Sequence, residues 1–146
     1  MDLSASYTFN ATPDVVWSLL VDPDVVAACL PGCDRLAPID DDRYQVMLNL
    51  TVAAVGGKYS GTVAIVDKRP PQSYRLIVEG AGGPGFVKGE GWIQLSPDGA
   101  ATIVSVTGRA QVGGVIARVG QRLLGSVSKM MLDRFFSCVQ NRVIAP

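Results

Sequence analysis

The chain contains no histidine. Imidazole is the side chain best suited to general acid–base work near neutrality, and it is the commonest metal ligand, so both kinds of site lose their usual donor. Cysteine is scarce: Cys29, Cys33 and Cys138 make three, an odd number. Cys29 and Cys33 stand four apart with no second pair to complete a tetrahedral set, so no metal site is expected and buried thiols are. So few cysteines also suit a cytoplasmic protein. Long apolar runs are missing. The longest stretch without charge, 44–57, includes Gln45 and Asn49 and falls short of the ~18 residues that a membrane span needs. Met1-Asp2-Leu3-Ser4 lacks the basic and apolar regions of a secretory signal. No cluster of Lys and Arg is interleaved with exposed aromatics, so nucleic acid is not an expected partner. Neither a G-x-S-x-G elbow nor carboxylates paired at a suggestive spacing appear. Glu79 and Glu90 could face each other on neighbouring strands, but surface ladder positions explain both. Catalysis is not expected.

What the chain does have is apolar residues and turns. Of 146 residues, 48% are hydrophobic and 18% charged, with 16 glycines and 9 prolines. That is a globular composition for one domain, 1–146, able to bury roughly 70% of its unfolded surface. Net charge is zero but unevenly spread. The first 42 residues hold eight Asp against one Arg, whereas 114–146 hold five Lys and Arg against one Asp.

Period-two alternation dominates the first three quarters. Leu3, Ala5, Tyr7 and Phe9 alternate with polar residues as a half-buried strand does. Thr12-Pro13-Asp14 and Asp22-Pro23-Asp24 each start a short helix, with a capping side chain, proline in the first turn and an acid at the positive end of the dipole. Leu30-Pro31-Gly32 stops the second. Strands follow near 34–39, 44–52, 59–65, 74–78, 87–95 and 104–112, separated by turns at Asp40–Asp42, Gly56-Gly57, Pro70-Pro71 and Pro97-Asp98-Gly99. Between 80 and 85 the sequence Gly-Ala-Gly-Gly-Pro-Gly matches G-x-G-x-x-G. The residues after it alternate as a strand, not a helix, so a hairpin tip is expected instead of a dinucleotide site.

From Gly113-Gly114 to about Arg142 the chain reads as one long amphipathic helix. Ile116, Val119, Leu123, Val127, Met130 and Met131 share a face, opposite Arg118, Arg122 and Lys129. Arg134 falls at the centre of that face, and Phe135 and Phe136 lie off it. Gly120 costs helix propensity of about 1 kcal/mol relative to alanine. The fold class is α+β: an antiparallel sheet curved around a long C-terminal helix, with room for an apolar cavity between them.

Several segments resemble the carbon monoxide dehydrogenase CoxG family of the START-like (SRPBCC) helix-grip superfamily. They are Ala11-Thr-Pro-Asp-Val-Val-Trp17, Asp22-Pro23, Ala27-Ala-Cys-Leu-Pro-Gly-Cys33, Gly61-Thr-Val63, Gly80 through Gly89 and Ala110-Gln-Val-Gly-Gly114. The resemblance covers nearly all of the chain. It implies a helix-grip fold enclosing an apolar pocket, and an accessory role beside a molybdenum-containing CO dehydrogenase or related hydroxylase. That role includes recruitment to the inner face of the membrane and handling of a quinone or lipid-like molecule, with no covalent cofactor. Family members often carry a C-terminal extension for membrane association; this chain stops at Pro146, which leaves that association open. A protein-interaction module for assembling the enzyme and a cyclase- or hydratase-type enzyme are the alternative readings.

The expected cavity lies between the late strands and the middle of the helix. Val78, Gly80, Val106 and Gly108 would form its sheet wall, Ile116, Val119, Leu123 and Val127 its helix wall. Leu30 and Phe86 would sit near the mouth. Polar groups are scarce among these residues, so selectivity would come from shape.

Overall fold

The alternating segments fold into seven strands, β1 (Asp2–Phe9), β2 (Cys33–Asp40), β3 (Arg43–Leu50), β4 (Gly57–Arg69), β5 (Ser73–Gly82), β6 (Gly85–Asp98) and β7 (Ala101–Gly113). The computed structural model describes residues 1–52 and 55–143. All neighbouring strands pair antiparallel in the order β1-β7-β6-β5-β4-β3-β2. Consecutive strands β1 and β2 therefore occupy opposite edges, and α1 (Pro13–Leu20) and α2 (Pro23–Cys29) carry the chain across the sheet. Asp22 caps α2 by accepting from the Asp24 amide at 2.9 Å. Thr12 holds the corresponding position before α1 but makes no side-chain cap bond. Instead the buried Thr102 hydroxyl donates to the Ala11 carbonyl at 2.7 Å and pins the start of α1 to β7.

Period two also decides which side chains point inward. Tyr7, Val104, Leu95, Ile93, Tyr74 and Leu76 belong to one continuous inner face, and most of them are fully buried. Val16, Trp17 and Leu20 of α1 close over it, with Trp17 edge-on to Tyr74 at 5.3 Å between ring centres. Phe136 and Val139 from the end of the last helix complete this core. The core occupies one end of the molecule.

The C-terminal segment departs from the expected single helix. Residues Val115–Val119 form a short 3-10 helix, Gly120 follows with φ +92°, and only Gln121–Gln140 form the long helix, α3. A 3-10 turn advances three residues per turn, and the left-handed Gly120 breaks the hydrogen-bond ladder, so a periodicity counted from 113 loses its phase. Accordingly Phe136, expected off the apolar face, is 2% exposed, whereas Leu123, expected on it, is 41% exposed. Arg134 faces solvent.

Aromatic contacts fix where α3 sits. Phe136 stacks on Tyr7 at 4.3 Å and meets Phe9 edge-on at 6.2 Å. The Tyr7 hydroxyl donates to Asp133 at 2.7 Å, Lys129 pairs with the same carboxylate, and the Gln140 amide donates to the Thr8 carbonyl at 2.7 Å. Burial, then the Asp133 hydrogen bond, raises the Tyr7 phenol above its ordinary value. Hydrogen bonds from Lys129 and then Tyr7 hold Asp133 below the usual carboxylate range.

The cysteines also depart from expectation. Cys29 and Cys138, expected as buried thiols, form a disulfide with Cα atoms 5.4 Å apart that joins the end of α2 to the end of α3; Cys33 is free. The sheet-crossing connection and the last helix meet over the core, which brings together residues 109 positions apart.

Alkylation of the unfolded, unreduced protein should label one thiol, Cys33, and reduction should expose all three, as read by intact mass. Three labelled thiols without reductant would exclude the pairing. Phe136→Ala should cost about 3–5 kcal/mol in a denaturant titration. The Asp133 carboxylate, with its folded pKa depressed, contributes stability that is present above about pH 4 and lost as pH falls. The Tyr7 phenol, with its folded pKa raised, contributes stability that is present below about pH 10 and lost as pH rises. Melting temperature should therefore decline on both sides of a neutral plateau. Tyr7→Phe should soften the alkaline decline, leaving the part due to the buried Tyr74, whose phenol is raised by burial alone. An unchanged alkaline limb would show that the Tyr7 hydroxyl does not carry it.

Candidate functional site: an apolar recess beneath the last helix

Away from the packed core, the same inward columns continue toward the glycine-rich end of the sheet. There Val78 and Gly80 on β5, Gly91 and Gly89 on β6, and Gly108 and Ala110 on β7 are only half-buried. The backbone of α3 comes close to β1, α2 and the 3-10 helix, so the helix bridges the sheet instead of lying along its middle strands. On α3 itself Leu124, Val127 and Met131 are half-buried as well.

Glycine makes the recess deeper. A Cβ placed on Gly80 would meet nothing nearer than the Ser60 carbonyl oxygen at 3.7 Å, and one on Gly91 nothing nearer than the Thr107 carbonyl oxygen at 3.6 Å. No side-chain atom lies within 4 Å of either Cβ position. Gly61 differs, because a Cβ there would overlap the Glu79 carbonyl oxygen of the neighbouring strand. Gly61 is thus required by close backbone approach, whereas Gly80 and Gly91 border open space.

The inner wall carries no charge. Inward positions of β1 and β3 through β7 hold only apolar residues, glycine, Thr102 and tyrosines. The Tyr59 hydroxyl is occupied, donating to the Val55 carbonyl at 2.6 Å, and burial raises its pKa. Charged residues of the sheet stand on the outer face. Glu90 holds Arg75 at 3.3 Å and Arg109 at 3.1 Å, and Arg109 lies over Trp92 at 5.5 Å. Arg75 Nε stands 3.2 Å from Asp67 as an ion pair but is not aligned for a hydrogen bond. Glu79 sits opposite Lys88, at 3.7 Å, and so does not pair with Glu90. Among the described residues no group of three His, Cys, Asp or Glu could hold a metal ion. An uncharged concave wall can bind by burial and shape.

Not all of the residues expected at the cavity come together. Val78, Gly80 and Gly108 are half-buried on the inner face of the sheet, and Val127 is half-buried on α3. Val106 belongs to the packed core at 5% exposure. Ile116 is buried at the end of the recess, where its amide donates to the Pro84 carbonyl at 2.9 Å, and Val119 is half-buried beside it. Leu30 caps α2 and is half-buried. Leu123 turns to solvent because the phase of the helix is reset at Gly120. Phe86 shares its side of β6 with Lys88, Glu90 and Trp92, which puts it on the outer face, packed over Gly113. Strand parity alone carries the signal for that placement. The same alternation turns Gly89, Gly91 and Ala110 inward, and these three extend the wall beyond the expected residues. The Gly80–Gly85 segment is a hairpin tip, with Gly82 paired to Gly85 across a two-residue turn.

Two hollows are open to the surface. One, of about 480 Å³, is lined by outer-face residues such as Asp2, Ile77, Lys88 and Arg109 and also by Val78, Gly89 and Ala110. The other, about 670 Å³, runs along α3 past Arg122, Lys129 and Asp133. Both are open troughs between charged side chains. No described helix is long and apolar enough to cross a membrane.

Comparison with known proteins agrees with this architecture. Residues 6–144 match the CoxG family of carbon monoxide dehydrogenase subunits. The crystal structure of a conserved protein from Geobacillus kaustophilus is 40% identical, with TM-score 0.95 over 97% of this chain and 94% of that one. A START superfamily protein from Mycobacterium smegmatis is similar in fold at 13% identity, TM-score 0.79, covering 97% and 96% of the two chains. A Chromobacterium violaceum protein gives TM-score 0.75 at 15% identity, covering 99% and 98%. No curated protein matches the sequence. With a START-like helix-grip architecture and a family match over nearly its whole length, the chain belongs to the carbon monoxide dehydrogenase CoxG family.

Proposed function

We propose that this protein is a non-catalytic accessory that carries an apolar small molecule, quinone- or lipid-like, for a molybdenum-containing CO dehydrogenase-type enzyme. The partner follows from family membership. The cargo class is supported by one observation above the others: open space over Gly80 and Gly91 on an inner wall without charge. Removal of apolar ligand surface from water there contributes about 25 cal/mol per Å². The wall fits a hydrocarbon tail or ring face better than a polar head. A quinone's carbonyl oxygens would find few donors, since the Tyr59 hydroxyl is already engaged. Affinity would thus come from the isoprenoid or acyl portion, and exchange of the head group would be tolerated. Among the described residues no carboxylate or amine faces inward from β1 or β3 through β7, and the free Cys33 stands at the far edge of the sheet opposite Leu48, a composition that supports carriage over turnover.

Native mass spectrometry of the protein purified from its own host should show one apolar ligand per chain. The double variant Gly80→Leu/Gly91→Leu should keep the fold, because both added Cβ atoms clear their neighbours, yet lose the ligand by filling the recess. Gln94→Ala, on the outer face, should retain it. A filled variant that still carries ligand at full stoichiometry would place the cargo elsewhere. A wild-type protein that arrives empty and takes up no short-chain naphthoquinone would favour an interaction module.

A further inference from the structure

The sheet has two edges, and they are built differently. β2 is guarded against further pairing. Pro38 removes a donor, the register slips between Cys33 and Arg35 and again between Pro38 and Asp40, and Asp34, Arg35 and Asp40 put charge along it. β1, at the opposite edge, has none of these devices. It pairs with β7 in unbroken register, contains no proline and carries charge only at Asp2.

Pairing parity shows which backbone groups of β1 are unused. Met1 and Ala110 exchange both hydrogen bonds, at 2.9 and 2.8 Å, so the odd-numbered residues of β1 bond to β7. The amides and carbonyls of Asp2, Ser4, Ser6 and Thr8 therefore point away from the sheet. Gln140 obeys this parity by taking the Thr8 carbonyl. Outside the ladder of the sheet, no described residue bonds the backbone of Ser4 or Ser6. Both side chains stand exposed on the outer face.

α3 runs beside this edge in the direction of β1. Ser128 lies by the Met1 sulfur at 4.0 Å, Lys129 stands over the Tyr7 ring, and Gln140 reaches Thr8. The open trough along the helix includes Lys129 and Asp133, so it borders the edge. Its free charge is of one sign. Asp133 is engaged by Lys129 and Tyr7, whereas Arg122 and Arg134, which also line the trough, make no ion pair among the described residues.

We propose that the β1 edge receives an extended acidic segment of a partner protein, added antiparallel as one further strand. Its main chain would bond Ser4 and Ser6, and its alternate side chains would meet two surfaces. Small polar side chains would lie beside Ser4, Ser6 and Thr8 on the outer face. Carboxylates would face Arg122, Lys129 and Arg134 on the inner side, where the curve of the sheet brings an added strand against α3. A second copy pairing β1 to β1 fits less well, because its own α3 would set the same cations against these. This docking does not depend on the cargo reading.

The probe is a fluorescent peptide of alternating Thr and Asp, about eight residues long, added to the full chain and read by anisotropy. Directly opposite residues of an antiparallel pair share a face, so the threonine amides of the peptide would meet Ser4 and Ser6 and the aspartate amides would not. Methylating the threonine nitrogens should abolish binding; methylating the aspartate nitrogens should leave it. Ser6→Pro removes only an edge amide, so it should keep a melting temperature near that of wild type yet weaken the peptide at least about tenfold. Arg122→Gln/Arg134→Gln should weaken it by about tenfold as well. Naphthoquinone uptake should be unchanged in both variants, so failure of docking and failure of the cargo reading are separately visible. The proposal is overturned if the wild-type protein ignores the peptide or if Ser6→Pro binds it as wild type does. It is also overturned if the two methylated peptides bind alike, since the cations would then attract any polyanion, an anionic lipid surface included.

Discussion

Everything distinctive about this molecule depends on α3 being fastened at one end. Phe136 enters between Tyr7 and Phe9, and the Cys29–Cys138 bond ties the last turns of the helix to the sheet-crossing segment. Aromatic pairs of this kind contribute about 0.5–1.5 kcal/mol each beyond their burial. A cross-link closing a loop of 109 residues constrains the unfolded chain further. Among the described residues no aromatic stack or cross-link holds the first half of α3. It begins after a glycine, without a capping side chain, and Gly125 has no heavy atom within 4 Å of where its Cβ would be. The helix is clamped over the core and stands off the sheet elsewhere.

The sheet is complementary to that arrangement. Its inward columns change composition along their length, from Tyr74, Ile93, Leu95 and Val104 under the clamp to Gly80, Gly91, Gly108 and Ala110 beyond it. Large residues fill the volume where the helix is close. Small ones widen it where the helix stands away, and a protein interior packed to the usual density would not leave such room by accident. Glycine in a strand lowers stability, and among the inward glycines Gly80 and Gly91 lack the close backbone approach that gives Gly61, Gly82 and Gly89 a steric reason. Gly61 is the internal control, since its contact with the Glu79 carbonyl gives it a steric reason that Gly80 and Gly91 lack.

Strands, their order of faces and the two proline-started helices are legible in the sequence because a period of two is local and tolerates no drift. The phase of α3 is not. Counting from Gly113 assumes one helix, and the 3-10 turn with Gly120 shifts every later position, so the count turns Leu123 inward and Phe136 outward when the reverse holds. Phe86 departs from expectation for a different reason. Its parity with Lys88 and Glu90 puts it on the outer face, but its nearness to the glycine loop suggests a mouth. The disulfide is illegible in principle, because a separation of 109 positions carries no local sign of which elements meet over the core. The inward placement of Val78, Gly80 and Gly108 on their strands is legible from alternation alone.

Charge distribution follows the same division of the molecule. Acids gather at the turns of the far end, where several are paired, as Asp40 is with Arg43 and Asp42 with Lys68. The recess end keeps Lys58, Arg118 and Arg122 without partners among the described residues, beside exposed Val115 and Leu123. Folding alone gives no reason for either feature: unpaired arginines near a helix N-terminus and water-exposed aliphatics both lower stability slightly. Stability is concentrated at the clamp, where Phe136 and the Cys29–Cys138 bond hold α3, and both departures from local rules lie away from it.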